Sequence, residues 1–169
     1  MLPTAFLQRM QRMLGPEYPA FLRSYDRPRS VGLRFNPLKG ADLPRLSFGL
    51  TPVPWAPHGY FYDPATRPGL HPYHEAGVYY LQEPSAMAPA VLLDAQPGEL
   101  VLDLCAAPGG KSTQIAAALQ GQGLLVCNEI NPGRAKILAR NIERMGITNA
   151  LVLQETPQRI AAAFPHCFD

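Results

Sequence analysis

The sequence predicts an α/β protein: a parallel sheet of β–α units, preceded by a small basic α+β module. Three observations predict this class. Residues 76–169 alternate short apolar runs with amphipathic stretches across short loops, the pattern of a parallel sheet with right-handed crossovers. Twelve of the 19 prolines lie between Pro3 and Pro72, so the first half reads as loop-rich. Charge divides at the same place. Residues 1–75 carry nine Lys and Arg against five acids, a net of +4, and residues 76–169 carry six against eight, a net of −2. A basic flank suggests a polyanionic partner; a solvated face of scattered arginines is the alternative.

The elements follow in order. Phe6, Leu7, Met10, Met13 and Leu14 are spaced by three and four, which predicts a helix over residues 2–14, stopped by Gly15-Pro16. A second short helix is predicted over Tyr18–Tyr25. Val31, Leu33 and Phe35 alternate with Gly32 and Arg34 as in a strand. Residues 51–73 read as turns and extended segments, with edge strands near Trp55 and over Tyr60–Tyr62. Pro84 suits the first turn of a helix over Ser85–Leu93, which Pro89 would kink or shorten. Leu100–Leu104 is a short run, apolar but for Asp103, as expected of a buried parallel strand. A glycine-rich loop, a helix over Ser112–Leu119 and a stop at Gly121 follow. Leu124–Cys127 is the next strand. Asn131-Pro132 opens a helix whose Ala135, Leu138, Ile142 and Met145 share one face. Ala150–Leu153 and Pro157–Phe164 complete the alternation as strand and helix.

Composition excludes several classes. Of 169 residues 47% are hydrophobic and 17% charged, yet no segment approaches the ~18 unbroken apolar residues of a membrane span. Met1–Leu14 carries Arg9 and Arg12 where a signal peptide would be apolar. Three widely spaced cysteines, Cys105, Cys127 and Cys167, form no disulfide framework and suit a reducing, cytoplasmic setting.

The chemistry concentrates in Asp103-Leu-Cys-Ala-Ala-Pro-Gly-Gly-Lys-Ser112, between a strand and a helix. That position, at the carboxyl end of a parallel strand, is where open α/β sheets bind ligands. Gly109 and Gly110 permit close backbone approach, Ala106 and Ala107 keep the space open, and Pro108 stiffens the turn. The helix behind offers free N–H groups and a positive end. A phosphate-binding P-loop would need Gly where Cys105 stands, although Gly110-Lys111-Ser112 matches its end. The dinucleotide fingerprint is not met. S-adenosylmethionine carries no phosphate; Asp103 would face its ammonium, and the loop amides with Lys111 its carboxylate. Glu129 stands 19 residues beyond Gly110, at the end of the second strand, where an acid accepts hydrogen bonds from ribose hydroxyls. The alternative for Glu129 is a charge at the next helix's positive end. Ile130 would line the adenine, and Gln154-Glu155-Thr156 would touch its edge.

The same decapeptide resembles the cofactor signature of the Nol1/Nop2/Sun RNA cytosine-C5 methyltransferases. Tyr79-Tyr-Leu-Gln-Glu-Pro-Ser-Ala-Met87 resembles the family's segment ahead of the core, and Leu33-Arg34-Phe-Asn36-Pro-Leu-Lys39 its Arg-x-Asn-x-x-Lys element. The resemblance is to a bacterial ribosomal RNA branch. It implies a Rossmann-like S-adenosylmethionine-dependent methyltransferase core, with its first three strands in residues 76–169 and an RNA-binding-type module in residues 1–75. It implies that Cys105, Ala106, Ala107, Pro108, Gly109, Gly110, Lys111 and Glu129 bind S-adenosyl-L-methionine, supported by Arg134. Where many members have Asp against the adenine, this sequence has Thr156 with Glu155 beside it; Glu155 is carried over as the contact. The family's reaction uses a thiolate at cytosine C6 and a second cysteine on the fourth and fifth strands. None of the three cysteines matches, so no catalytic residue is assigned and the chain reads as the N-terminal part of a longer enzyme. The implied partner is RNA, ribosomal RNA by the branch, with no membrane and no metal. The alternatives are an inactive RNA- and cofactor-binding remnant and a P-loop hydrolase.

Other residues admit two readings. His71 and His74 beside Glu75 lack a third metal ligand. Trp55, Tyr60, Phe61, Tyr62 and Tyr73 could stack on unpaired bases or form the module's core. Arg34 and Asn36 could meet RNA or brace the two halves. The arginines of residues 9–45 are expected to contribute phosphate contacts.

Overall fold

The computed structural model describes residues 2–40 and 46–169; Arg45, counted above among the basic residues, lies outside them. The chain divides into two compact units, Met1–Ser30 and Val31–Asp169.

In the first unit, α1 (Thr4–Leu14) and α2 (Tyr18–Ser24) flank a 3-10 turn, Gly15–Glu17. Gly15 ends α1 with φ 49°. Aromatic rings hold the pair: Phe21 lies 6.1 Å from Phe6 and 5.3 Å from Tyr25.

The second unit contains two sheets. The first is antiparallel, in the order β2-β3-β1-β4. Its strands are β1 (Gly32–Phe35), β2 (Thr51–Pro52), β3 (Gly59–Phe61) and β4 (Tyr79–Leu81), with a one-turn helix α3 (Pro72–Glu75) before β4. The sheet therefore runs across the boundary at residue 75 drawn from charge and proline. Trp55 lies in the turn between β2 and β3 rather than on a strand. Alternation along β1 sends Leu33 and Phe35 into one cluster with Phe48 and Tyr79, packed by Tyr60 and Tyr62. Arg34, between them, is also buried, with 2% of its surface exposed. Most of these aromatics thus build a core, with Phe35 and Tyr60 ring centroids 5.4 Å apart.

The second sheet is parallel, in the order β5-β6-β7. Residues Pro84–Met87 form a 3-10 turn, capped by Glu83 at the Ala86 amide, before α4 (Ala88–Leu93). Pro89 sits in the first turn of α4 and does not kink it, because no N–H is needed there. Then follow β5 (Leu100–Asp103), α5 (Gly110–Leu119), β6 (Leu124–Asn128), α6 (Pro132–Arg144), β7 (Ala150–Leu153) and α7 (Pro157–Ala163). Helix α5 starts two residues before its expected start. One core gathers Val101, Leu125 and Cys127 of the sheet, Ile115, Ala116 and Leu119 of α5, and Leu138 and Ile142 of α6. The free edge of β5 meets Asp169, whose amide donates to Leu100 O at 3.1 Å.

Arg34 and Asn36 join the two sheets. The Arg34 guanidinium donates to Gln82 Oε1 at 3.0 Å, Gly110 O at 3.2 Å and Thr113 Oγ1 at 2.8 Å. Asn36 Nδ2 donates to Gly77 O at 3.0 Å and Met145 O at 2.8 Å. Of the two readings above, bracing is the one these contacts satisfy. Arg34 is withdrawn from the phosphate-contacting set, because a guanidinium this deeply buried cannot reach a solvated backbone. Close packing at the junction requires Gly77, with φ 71°: a Cβ there would stand 2.0 Å from Arg144 O.

Candidate cofactor site

The decapeptide loop runs off the carboxyl end of β5 and enters α5 at Gly110. The side chain of Asp103 organises its first turn, accepting from the Cys105 amide at 3.2 Å and from Ser112 Oγ at 2.8 Å. The Ala107–Pro108 peptide is cis. Gly109 precedes α5 with φ 116°, a region that favours glycine.

Four consecutive carbonyl groups of the loop, from Ala107 to Gly110, are taken. Ala107 O accepts from Arg134 Nη2 at 2.7 Å and Pro108 O from Asn141 Nδ2 at 2.8 Å, both side chains of α6. Gly109 O accepts from the Thr113 amide at 2.8 Å, and Gly110 O from Arg34. A helix leaves its first N–H groups without intrahelical partners, so the amides of Gly110, Lys111 and Ser112 are the free polar groups of this turn. With the acceptors of 107–110 occupied and the amides of 110–112 free, this turn suits an anionic group.

Across the sheet, β6 ends at Asn128, and Glu129 follows it. Glu129 is 4% exposed. Its Oε1 accepts from the Asn131 amide at 3.0 Å and its Oε2 lies 3.1 Å from Arg134 Nη1. Arg134 thus ties the β6 carboxylate to the β5 loop. Asn128 Nδ2 donates to Glu155 O at 2.9 Å, and its Oδ1 accepts from the Glu155 amide at 2.9 Å. That side chain adds one more rung beyond the β6–β7 ladder and fixes the backbone at 154–156.

The expected residues therefore meet along the carboxyl ends of three strands. Ala106, Ala107 and Gly109 are buried; Cys105, Pro108 and Lys111 are exposed. The Glu155 backbone joins the group, but its carboxylate lies 3.0 Å from Arg159 Nη1 on α7. Ile130, 60% exposed, stands open to a ligand. Asn128, Asn141 and Ser112 were missed as site residues; a buried-type Asn closing an apolar strand was the available signal for the first. Cys127 is buried beneath the loop. Burial, with the Asp103 charge nearby and against a hydrogen bond from Ser112, pushes its thiol up to about 12. It is a core residue and not a nucleophile at neutral pH. His71 Nδ1 accepts from the Tyr73 amide at 3.1 Å, and among the described residues no three His, Cys, Asp or Glu side chains gather as a metal site.

The fold is of the Rossmann-like methyltransferase class. Two family descriptions match the chain: the N-terminal domain of the 16S rRNA methyltransferase RsmF over residues 2–84, and 16S rRNA methyltransferase RsmB/F over residues 90–169. The chain belongs to the RsmB/F family of 16S rRNA methyltransferases. It is 36% identical to the ribosomal RNA small subunit methyltransferase F of Shigella dysenteriae over 99% of its own length. The enzyme of that name from Erwinia tasmaniensis is also 36% identical over 99%. The chain spans 38% of the length of either relative. Among solved structures, a methyltransferase homologue from Pyrococcus horikoshii superposes with a TM-score of 0.83 at 27% identity, over 96% of this chain and 55% of that one. NSun6 from the same organism, solved with SFG, shares the fold, with a TM-score of 0.82 at 16% identity over 95% of this chain and 67% of that one.

Proposed function

We propose that the chain carries the S-adenosyl-L-methionine site of an enzyme that methylates cytosine C5 in ribosomal RNA. The observation that carries this is the pairing of the free-amide turn at Gly110–Ser112 with the buried Glu129 carboxylate at the next strand end, tied together by Arg134. The residues fit the cofactor. The free amides of α5 suit its carboxylate, Asp103 its ammonium, Glu129 its ribose hydroxyls, and Ile130 with the backbone of 154–156 its adenine. A P-loop phosphate fits less well, because Cys105 stands where that loop needs its first glycine.

When bound, the cofactor supplies an electrophilic methyl group. The chain's own residues orient it: Arg134 and Asn141 hold the loop from behind, and Asn128 holds the adenine side. The base must leave its stack to be reached, and C5 becomes nucleophilic only after a thiolate adds at C6. Cys127 is buried and protonated, Cys105 belongs to the cofactor loop, and Cys167 lies two residues from Asp169, which bonds Leu100 at the amino end of β5, opposite the loop; in this proposal none of the three is the nucleophile. The arginines of α1 and α2 and of residues 27–29 would meet RNA phosphates, giving binding that weakens steeply with salt.

Isothermal titration of the chain with S-adenosylhomocysteine tests the site, and labelled-methyl transfer to ribosomal RNA tests the activity. The expected outcome is cofactor binding without transfer by this chain, and transfer by a longer form that includes the fourth and fifth strands. Stabilisation by ATP-Mg in place of the adenosyl ligand would reverse the assignment.

A further inference from the structure

We infer that Arg34 is the buried charge that makes the start of α5 select the carboxylate of the cofactor's amino-acid tail. The inference rests on the cofactor reading above and names a specificity-determining residue for it. Strand β1 carries Arg34 into the interface with α5, where it is 2% exposed. All three of its acceptors are neutral: Gln82 Oε1, Gly110 O and Thr113 Oγ1. Burial lowers its pKa to about 10, which leaves it cationic at neutral pH.

For stability alone this is a poor arrangement. A desolvated cation without an anion is costly, and it sits against a helix end that already carries about half a positive charge. The two repel. An anion at the free amides of Gly110, Lys111 and Ser112 relieves both. The field acts through protein rather than water and is therefore weakly attenuated. Lys111 adds charge at the same turn, but it is exposed and screened by solvent. The hydrogen bond to Gly110 O fixes the guanidinium to the turn whose amides would hold the carboxylate. The ammonium and sulfonium of the same ligand gain nothing from this field; Asp103 and Glu129 serve the cationic side and the sugar.

The test compares S-adenosylmethionine with decarboxylated S-adenosylmethionine, which differ in that one group, by titration calorimetry on the whole chain. The wild type should prefer the carboxylated ligand. Arg34→Met should weaken it by ~10-fold or more and leave the decarboxylated ligand within about threefold. Arg34→Lys, which keeps the charge, should retain the preference. Equal weakening of both ligands by Arg34→Met would overturn the inference and leave the cofactor site standing. Should circular dichroism show Arg34→Met unfolded, Arg34→Lys decides: a preference kept supports the selection, a preference lost refutes it. A wild type that binds neither ligand removes the cofactor reading, and this inference with it.

Discussion

Asn128 offers the sharpest test of how the proposed cofactor site is held. Its amide makes two 2.9 Å bonds to the backbone of Glu155 from a side chain in a residue 1% exposed. Asn128→Ala breaks both and leaves a partly buried N–H and C=O without partners. Each such bond is worth about 1 kcal/mol net, and each orphaned group costs about 1–3 kcal/mol where water cannot reach it. Glu155 is partly exposed, so water recovers some of this, and a loss of about 2–4 kcal/mol is expected. For a chain of this size that lowers Tm by roughly 5–15 °C. Asn128→Asp is more informative. It still accepts from the Glu155 amide, but it sets a carboxylate against the Glu155 and Leu104 carbonyl groups. Burial and those oxygens raise its pKa above the unfolded value. Its stability is therefore closest to wild type in acid and falls as pH rises through the raised value. Thermal unfolding of wild type and Asn128→Asp at pH 5 and pH 8 should show a deficit that grows with pH. An Asn128→Ala protein melting within about 1 °C of wild type, or a deficit independent of pH, would refute the role given to this side chain.

Three further outcomes are expected. Glu129→Gln removes the partner of Arg134 and a charged acceptor for the ribose, so S-adenosylhomocysteine should bind ~10–100-fold more weakly by calorimetry with the far-ultraviolet spectrum unchanged. Gly77→Ala forces a Cβ to within 2.0 Å of Arg144 O at φ 71°; a loss of about 2–4 kcal/mol in urea unfolding is expected. Native iodoacetamide labelling at pH 8 should modify the exposed Cys105 and Cys167 and spare Cys127. Because folding raises the Cys127 pKa from 9.0 to about 12, its contribution is intact below pH 9 and lost as pH rises toward 12; Cys127→Ala should flatten that part of the stability profile.

The β–α alternation of residues 100–163 was legible because it depends on local spacing: apolar runs for β5, β6 and β7, and a one-sided apolar stripe for α6. The loop was legible for the same reason, since its glycines, alanines and proline are consecutive. What escaped was short or irregular. Strand β4 and helix α3 span three and four residues, too few for a period to register, and β4 is recognisable only through its pairing with β1.

By itself the sequence determined where the glycine-rich loop lies, which acid closes the next strand and which elements surround them, because each depends on residues near one another in the chain. Only the tertiary structure decided what holds that loop in shape. Arg34 reaches Thr113 across 79 residues, Asn36 reaches Met145 across 109, and Asn141 reaches Pro108 across 33. No local pattern announces such bonds, since a buried polar side chain takes its role from whichever backbone group the fold brings to it. Arg34 shows the difference: on a basic segment it could meet RNA or brace the two halves, and folded it is a buried cation held against Gly110 and Thr113 of α5.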